Sequence, residues 1–118
     1  MNSLCHLLLV EPDYSLAEAA VELFGAHGVI VSVAPDSHSA IDFVSQVQFD
    51  CVLIDVELWE GADGVELARR ISRQFPKARI ALSAALDSTR AIPSDIPAFQ
   101  KPYRFDAVLA AFCGNYAA

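Results

Sequence analysis

The sequence is short of positive charge. Its 118 residues include 8 lysines and arginines against 15 aspartates and glutamates, so the formal net charge is -7 and the pI is about 4.7. A chain with this balance repels phosphate backbones, and we expect no direct binding to nucleic acid. Acidity also aids solubility, so it does not identify a partner by itself.

Long apolar runs and closely spaced cysteines are also missing. No stretch approaches the ~20 apolar residues of a membrane span, and the amino-terminal run at residues 7–10 is too short for a signal peptide. The three cysteines form no Cys-x-x-Cys pair, and no glycine-rich phosphate loop occurs. We therefore expect a cytoplasmic protein with reduced thiols that does not bind membranes.

Apolar residues are abundant. They make up 54% of the chain, whereas charged residues make up 19%. A chain of this length and composition predicts a single globular domain over residues 1–118.

Strand-like and helix-like segments alternate along the chain. Apolar runs predict strands at residues 4–10, 29–33, 51–55 and 79–83, with a weaker strand at 97–101. Helical spacing predicts helices near residues 16–28, 36–47, 64–75 and 104–112. Near-continuous apolar strands are typical of a parallel sheet with helices on both faces. The pattern therefore predicts a doubly wound α/β fold with five parallel strands in the flavodoxin-like order 2-1-3-4-5.

One helix of this pattern is weak. A helix belongs between the fourth and fifth strands, but residues 84–96 are poor helical material, and prolines stand at 93 and 97. We expect this fourth helix to be short or displaced.

Reactive side chains follow four of the five predicted strands. Glu11 ends the first strand, with Asp13 close behind, and Asp55, Ser83 and Lys101 end the third, fourth and fifth. The carboxyl ends of parallel strands share one edge, where ligands bind. Clustered acids repel each other unless a cation lies among them, and oxygen ligands favour a hard ion such as Mg²⁺. The ammonium and the hydroxyl suit a phosphoryl group.

Each of these residues also has a structural interpretation. Asp55 could cap a turn, Ser83 could be an ordinary polar strand end, and Lys101 could be solvated. Glu11 and Asp13 could serve only as helix caps. The four strand ends taken together favour a functional site over these separate explanations.

Several motifs resemble the receiver domain of two-component response regulators. They are "LLLVEPD", "FDCVLIDVEL" followed by "DGVELARRI", "IALSA" and "FQKP", and the likeness covers nearly the whole chain. The resemblance implies a phosphorelay acceptor domain rather than an enzyme. Asp55 would take a phosphoryl group from a histidine kinase or a histidine phosphotransfer protein and form an acyl phosphate. Ser83 and Lys101 would contact that group and carry the switch.

The same resemblance implies a magnesium site. Glu11, Asp55 and the backbone of Glu57 would hold Mg²⁺, with Asp13 as a further candidate. The family usually has a second acid directly after the first strand, where this chain has Pro12. We therefore expect weak Mg²⁺ binding.

Other departures concern output. An aromatic residue that is common three positions before the lysine is replaced by Ala98, and the segment between Ser83 and Lys101 is several residues short. These departures favour a monomer or weak dimer. They also keep open an alternative, a receiver-like protein interaction module that no longer depends on phosphorylation. A cofactor-binding flavodoxin-like protein is disfavoured because the phosphate loop is missing.

Overall fold

Strands and helices alternate as the sequence predicts. The computed structural model describes residues 5–113. Its elements are β1 (Cys5–Val10), α1 (Tyr14–Gly25), β2 (Val29–Ala34), α2 (Ser37–Gln46), β3 (Cys51–Asp55), α3 (Gly64–Gln74), β4 (Arg79–Ala84), β5 (Ala98–Gln100) and α4 (Phe105–Cys113). All pairings in the sheet are parallel, and the strand order β2-β1-β3-β4-β5 is confirmed.

Apolar side chains of the central strands fill both faces of the sheet. On one face Leu8, Val52 and Ile54 pack with residues of α2 and α3. On the other, Leu7 and Leu53 pack with residues of α1 and α4. Since successive strand residues point to opposite faces, a continuous apolar run is buried only when both faces are covered. In the described part of the chain, no helix is both long and apolar enough to cross a membrane.

Aspartates begin three of the helices. The side chains of Asp13, Asp36 and Asp63 each accept a hydrogen bond from a backbone N–H in the first turn of α1, α2 and α3. These bonds satisfy N–H groups that have no partner within the helix. Gly28, with φ of +82°, ends the turn that follows α1.

The expected short or displaced helix between β4 and β5 is absent. Residues 85–97, all of which the structure describes, form turns and bends. Proline lacks the backbone N–H that a helix requires, and Pro93 lies within this segment. The segment is held instead by an ion pair in which Arg69 contacts both carboxylate oxygens of Asp95, at 2.5 and 2.9 Å. The β4–β5 connection is therefore an irregular surface segment.

Candidate functional site

The carboxyl edge of the sheet brings the predicted site residues together. Asp55 ends β3 directly opposite Ser83 of β4, while Glu11 follows β1 and Lys101 follows β5. Glu11, Asp55 and Ser83 are only 1%, 6% and 1% exposed. Polar groups as deeply buried as these require partners.

Lys101 supplies a partner to both carboxylates. Its Nζ lies 2.7 Å from Oε1 of Glu11 and donates a hydrogen bond to Oδ2 of Asp55. Burial disfavours the charged ammonium, but the hydrogen bonds to Asp55 and Glu11 outweigh it, so the pKa of Lys101 is raised. The positive charge that reduces repulsion between the two carboxylates is therefore supplied by the Lys101 side chain.

Glu11 is the most deeply buried acid of the site. Burial raises its pKa, although the hydrogen bond from Lys101 and one from the backbone N–H of Asp13 oppose that rise. The Asp13 N–H lies 3.0 Å from Oε2 of Glu11. One carboxylate oxygen of Glu11 is thus ion-paired with Lys101, and the other accepts a hydrogen bond from the Asp13 N–H.

Backbone contacts orient the Asp55 carboxylate. Its Oδ1 accepts a hydrogen bond of 2.9 Å from the N–H of Glu57, and its Oδ2 accepts from Lys101. Gly64, the first residue of α3, packs against the Asp55 backbone so closely that a Cβ would lie 1.9 Å from the carbonyl oxygen. Glycine at position 64 therefore allows α3 to begin directly beside the site.

Two buried hydroxyls lie in this part of the molecule. Within residues 5–113, Ser83 Oγ and the Tyr103 hydroxyl have no hydrogen-bond partner. Burial raises the pKa of Tyr103, and the charges of Glu11 and Asp55 add to the effect. Sequence reasoning missed Tyr103. The only feature of the sequence that could have indicated it is its position two residues after Lys101.

The loop after β3 is tied to the segment that replaces the expected helix. Ser88 Oγ donates to a carboxylate oxygen of Glu57 at 2.5 Å. Arg90 donates to the carbonyl of Gly61 at 3.0 Å and approaches Asp63 to 3.8 Å. Sequence reasoning also missed these contacts, because residues 85–97 show no periodicity that would place them.

The candidate metal ligands are spread over three environments. Glu11 and Asp55 converge on Lys101, whereas the exposed Asp13 caps α1 and the Glu57 side chain bonds to Ser88. Within residues 5–113, no three carboxylate, imidazole or thiol groups converge as a metal site. Mg²⁺ commonly binds one or two carboxylates and keeps several waters. Glu11 and Asp55 could provide that minimal set, so magnesium binding stays a prediction.

Comparison with known families decides the identity of the fold. A profile of the response regulator receiver domain matches residues 7–96, well over half of the chain. The chain belongs to the response regulator receiver domain family. The resemblance in its sequence motifs is thereby confirmed, and the polar edge described above is the carboxyl edge of a receiver domain of two-component signalling.

Relatives and solved structures agree with this assignment. The transcriptional regulatory protein CseB of Streptomyces coelicolor is 37% identical over 83 residues, which are 70% of this chain and 35% of that protein. The chain thus spans about a third of that relative's length.

Two solved receiver domains share the fold. One is the receiver domain of the Francisella response regulator 1452, with a TM-score of 0.79, 23% identity, and 96% and 97% of the two chains covered. The other is a receiver domain protein of Methanospirillum hungatei, with a TM-score of 0.83, 18% identity, and 98% and 95% covered. At these identities the structural likeness shows the fold alone.

Proposed function

We propose that this receiver domain accepts a phosphoryl group on Asp55 from a histidine kinase or a histidine phosphotransfer protein. The observation that carries the proposal is the placement of Asp55. Its carboxylate is bound by the Lys101 ammonium, and Asp55 pairs in the sheet with Ser83, whose buried hydroxyl has no hydrogen-bond partner among the described residues. A carboxylate nucleophile beside a cation and a hydroxyl donor suits the transfer of a charged phosphoryl group.

The reaction follows from these groups. A carboxylate oxygen of Asp55 forms a bond to phosphorus as the bond from phosphorus to the donor breaks, and the donor keeps the electron pair. Lys101 balances the charge of the phosphoryl oxygens, and Ser83 donates a hydrogen bond to one of them. Because Ser83 Oγ has no hydrogen-bond partner among residues 5–113, this new bond favours the phosphorylated state.

Magnesium belongs to the same proposal. Glu11, Asp55 and the backbone of Glu57 would hold Mg²⁺, which would neutralise charge on the phosphoryl oxygens, and Asp13 is a further candidate ligand. Lys101 already pairs with both buried carboxylates, so it competes with the ion. Pro12 supplies no side-chain oxygen. Competition from Lys101 and the missing oxygen at Pro12 both predict weak Mg²⁺ binding and slow phosphorylation.

Treatment with acetyl phosphate and Mg²⁺, followed by intact mass measurement, tests the acceptor. The wild type should gain one phosphoryl group, which hydroxylamine removes because an acyl phosphate is labile to that reagent. Asp55→Asn should gain none. An adduct that persists in Asp55→Asn would place the acceptor elsewhere.

Replacing Pro12 tests the magnesium part. Pro12→Asp should tighten Mg²⁺ binding by about 1–2 kcal/mol, the scale of a charge-assisted contact. Titration followed by fluorescence of Trp59, which lies in the loop after β3, measures the change. Pro76→Asp, at an exposed position after α3, is the control for added charge. Tight wild-type binding that is unchanged in Pro12→Asp would show that another carboxylate serves.

A second candidate function is a protein interaction module that does not depend on phosphate. The observation that favours it is the β4–β5 connection, which has no helix, together with the exposed Ala98. The same features predict a monomer or weak dimer, because the surface formed by the β4–β5 connection and β5, which could respond to phosphorylation, is altered. Partner binding that is equal for wild type and Asp55→Asn would support this candidate, and sedimentation of both phosphorylated and unmodified protein would test the dimer.

A further inference from the structure

Two cysteines meet at the edge of the sheet opposite the phosphoacceptor. Cys5 is the first residue of β1 and Cys51 is the first residue of β3. Their Sγ atoms lie 3.4 Å apart, although the residues are 46 positions apart in sequence. A disulfide bond is about 2.05 Å long, so the structure shows two thiols in contact.

Neighbouring hydrogen bonds hold the two thiols in place. The His6 N–H donates to the Asp50 carboxylate at 2.8 Å, and the Asp50 N–H donates to the His6 carbonyl at 2.9 Å. His6 follows Cys5 and Asp50 precedes Cys51, so these bonds clamp the chain beside each sulfur. The thiols are therefore placed by backbone contacts as well as by side-chain packing.

The pairing of β1 with β3 does not include Cys5. Cys5 pairs with Val29 of β2, whereas pairing between β1 and β3 begins with Leu7 opposite Cys51. Cys5 thus lies just outside that ladder. Closing the remaining gap of roughly 1.4 Å requires movement at the start of β1 rather than in the middle of the sheet.

Solvent reaches this pair through a polar cavity. Cys5, Cys51, Asp50, Lys77 and Arg79 are among the residues that line a cavity of about 410 Å³. Cys5 is half-buried, whereas Cys51 is only 2% exposed. A small oxidant therefore meets Cys5 first, with Cys51 directly behind it.

We propose that Cys5 and Cys51 form a modification site that a hydroperoxide converts to an intramolecular disulfide. The Cys5 sulfur attacks one peroxide oxygen, the O–O bond breaks, and a sulfenic acid and one water form. The Cys51 sulfur then attacks the Cys5 sulfur and displaces the hydroxyl group as a second water. Two thiols lose two electrons and two protons, and one hydrogen peroxide becomes two waters. The site is independent of Asp55 and of its phosphorylation.

Oxidation of the reduced protein with hydrogen peroxide tests this proposal. After alkylation of the remaining thiols, intact mass should show the loss of two hydrogen atoms and a single alkylated cysteine. Digestion without reductant should yield a peptide in which Cys5 is joined to Cys51. Cys113→Ser is the matched control, because it removes the third cysteine of the sequence and should leave the cross-link intact.

Variants of the pair give the converse result. Cys5→Ser should abolish the cross-link, and Cys51→Ser should leave a sulfenic acid on Cys5 that a 1,3-diketone labels. Because Cys51 is buried in the core, the wild-type peptide map and Cys5→Ser decide the outcome if Cys51→Ser fails to fold. No loss of hydrogen, a bond that includes Cys113, or disulfide-linked dimers in place of the internal bond would overturn the proposal.

Discussion

Replacing Lys101 with methionine removes the cation that the structure places between two buried carboxylates. The side chains of Lys101, Glu11 and Asp55 are 16%, 0% and 8% exposed. Removing one partner of a buried ion pair costs about 3–5 kcal/mol. The ammonium keeps some contact with solvent and Glu11 can take up a proton, so we expect the lower end, a loss of about 3 kcal/mol in the free energy of unfolding near neutral pH.

The loss should depend on pH in a defined direction. Burial raises the pKa of Glu11 above its ordinary value of 4.5, and Lys101 opposes that rise. A raised folded-state pKa means that the native protein binds more protons, so stability falls as pH rises between the two pKa values. Without Lys101 the pKa of Glu11 rises further. The difference between wild type and variant should therefore be larger at about pH 8 than at about pH 5.

Urea unfolding at both pH values measures this difference. Lys77→Met is the matched control, because Lys77 is exposed and lies at the end of the sheet away from the site. It should change stability by less than about 0.5 kcal/mol. A loss below about 1 kcal/mol in Lys101→Met, or one that grows on acidification, would refute the proposed pairing of Lys101 with both acids.

Three further substitutions test other parts of the fold. Gly64→Ala should destabilise by about 3 kcal/mol or more, since its Cβ would collide with the Asp55 carbonyl. Gly25→Ala, whose Cβ meets no atom of the described residues within 4 Å, should be tolerated in the same urea assay. Asp36→Ala should lower stability by about 1 kcal/mol through loss of the α2 cap. The pKa of Asp36 is lowered by its bond to a backbone N–H, so this contribution should disappear as pH falls below the ordinary value of 3.8. Tyr103→Phe should keep or raise the thermal midpoint, because the buried hydroxyl has no partner among the described residues; a clear drop would reveal one.

Local patterns predicted most of the fold and the position of the site. Cys51–Asp55 is an apolar strand that ends in an acid, and parallel pairing places that acid beside the ends of the neighbouring strands. The predicted convergence of Glu11, Asp55, Ser83 and Lys101 on one edge needed only strand periodicity and strand order. The chemical role of these residues came from the family resemblance and stays a prediction.

Contacts between irregular segments could not be predicted in this way. Prolines indicated a poor helix before β5, but only the structure shows Ser88 bound to Glu57 and Arg90 bound to Gly61. Such contacts depend on loop conformations that hydrophobic periodicity does not encode. The meeting of Cys5 with Cys51 likewise depends on strand order and register, because the spacing of the cysteines carries no signal of its own.

The central claim is that Asp55 is the phosphoacceptor, and residue-level localisation tests it most directly. Borohydride reduces an aspartyl phosphate to homoserine, so protein treated with acetyl phosphate and Mg²⁺ and then reduced can be digested and sequenced by mass spectrometry. We expect homoserine at position 55, with unmodified aspartate at the exposed Asp63 of the same loop. Homoserine at position 63 or at another acid, with Asp55 unchanged, would contradict the account.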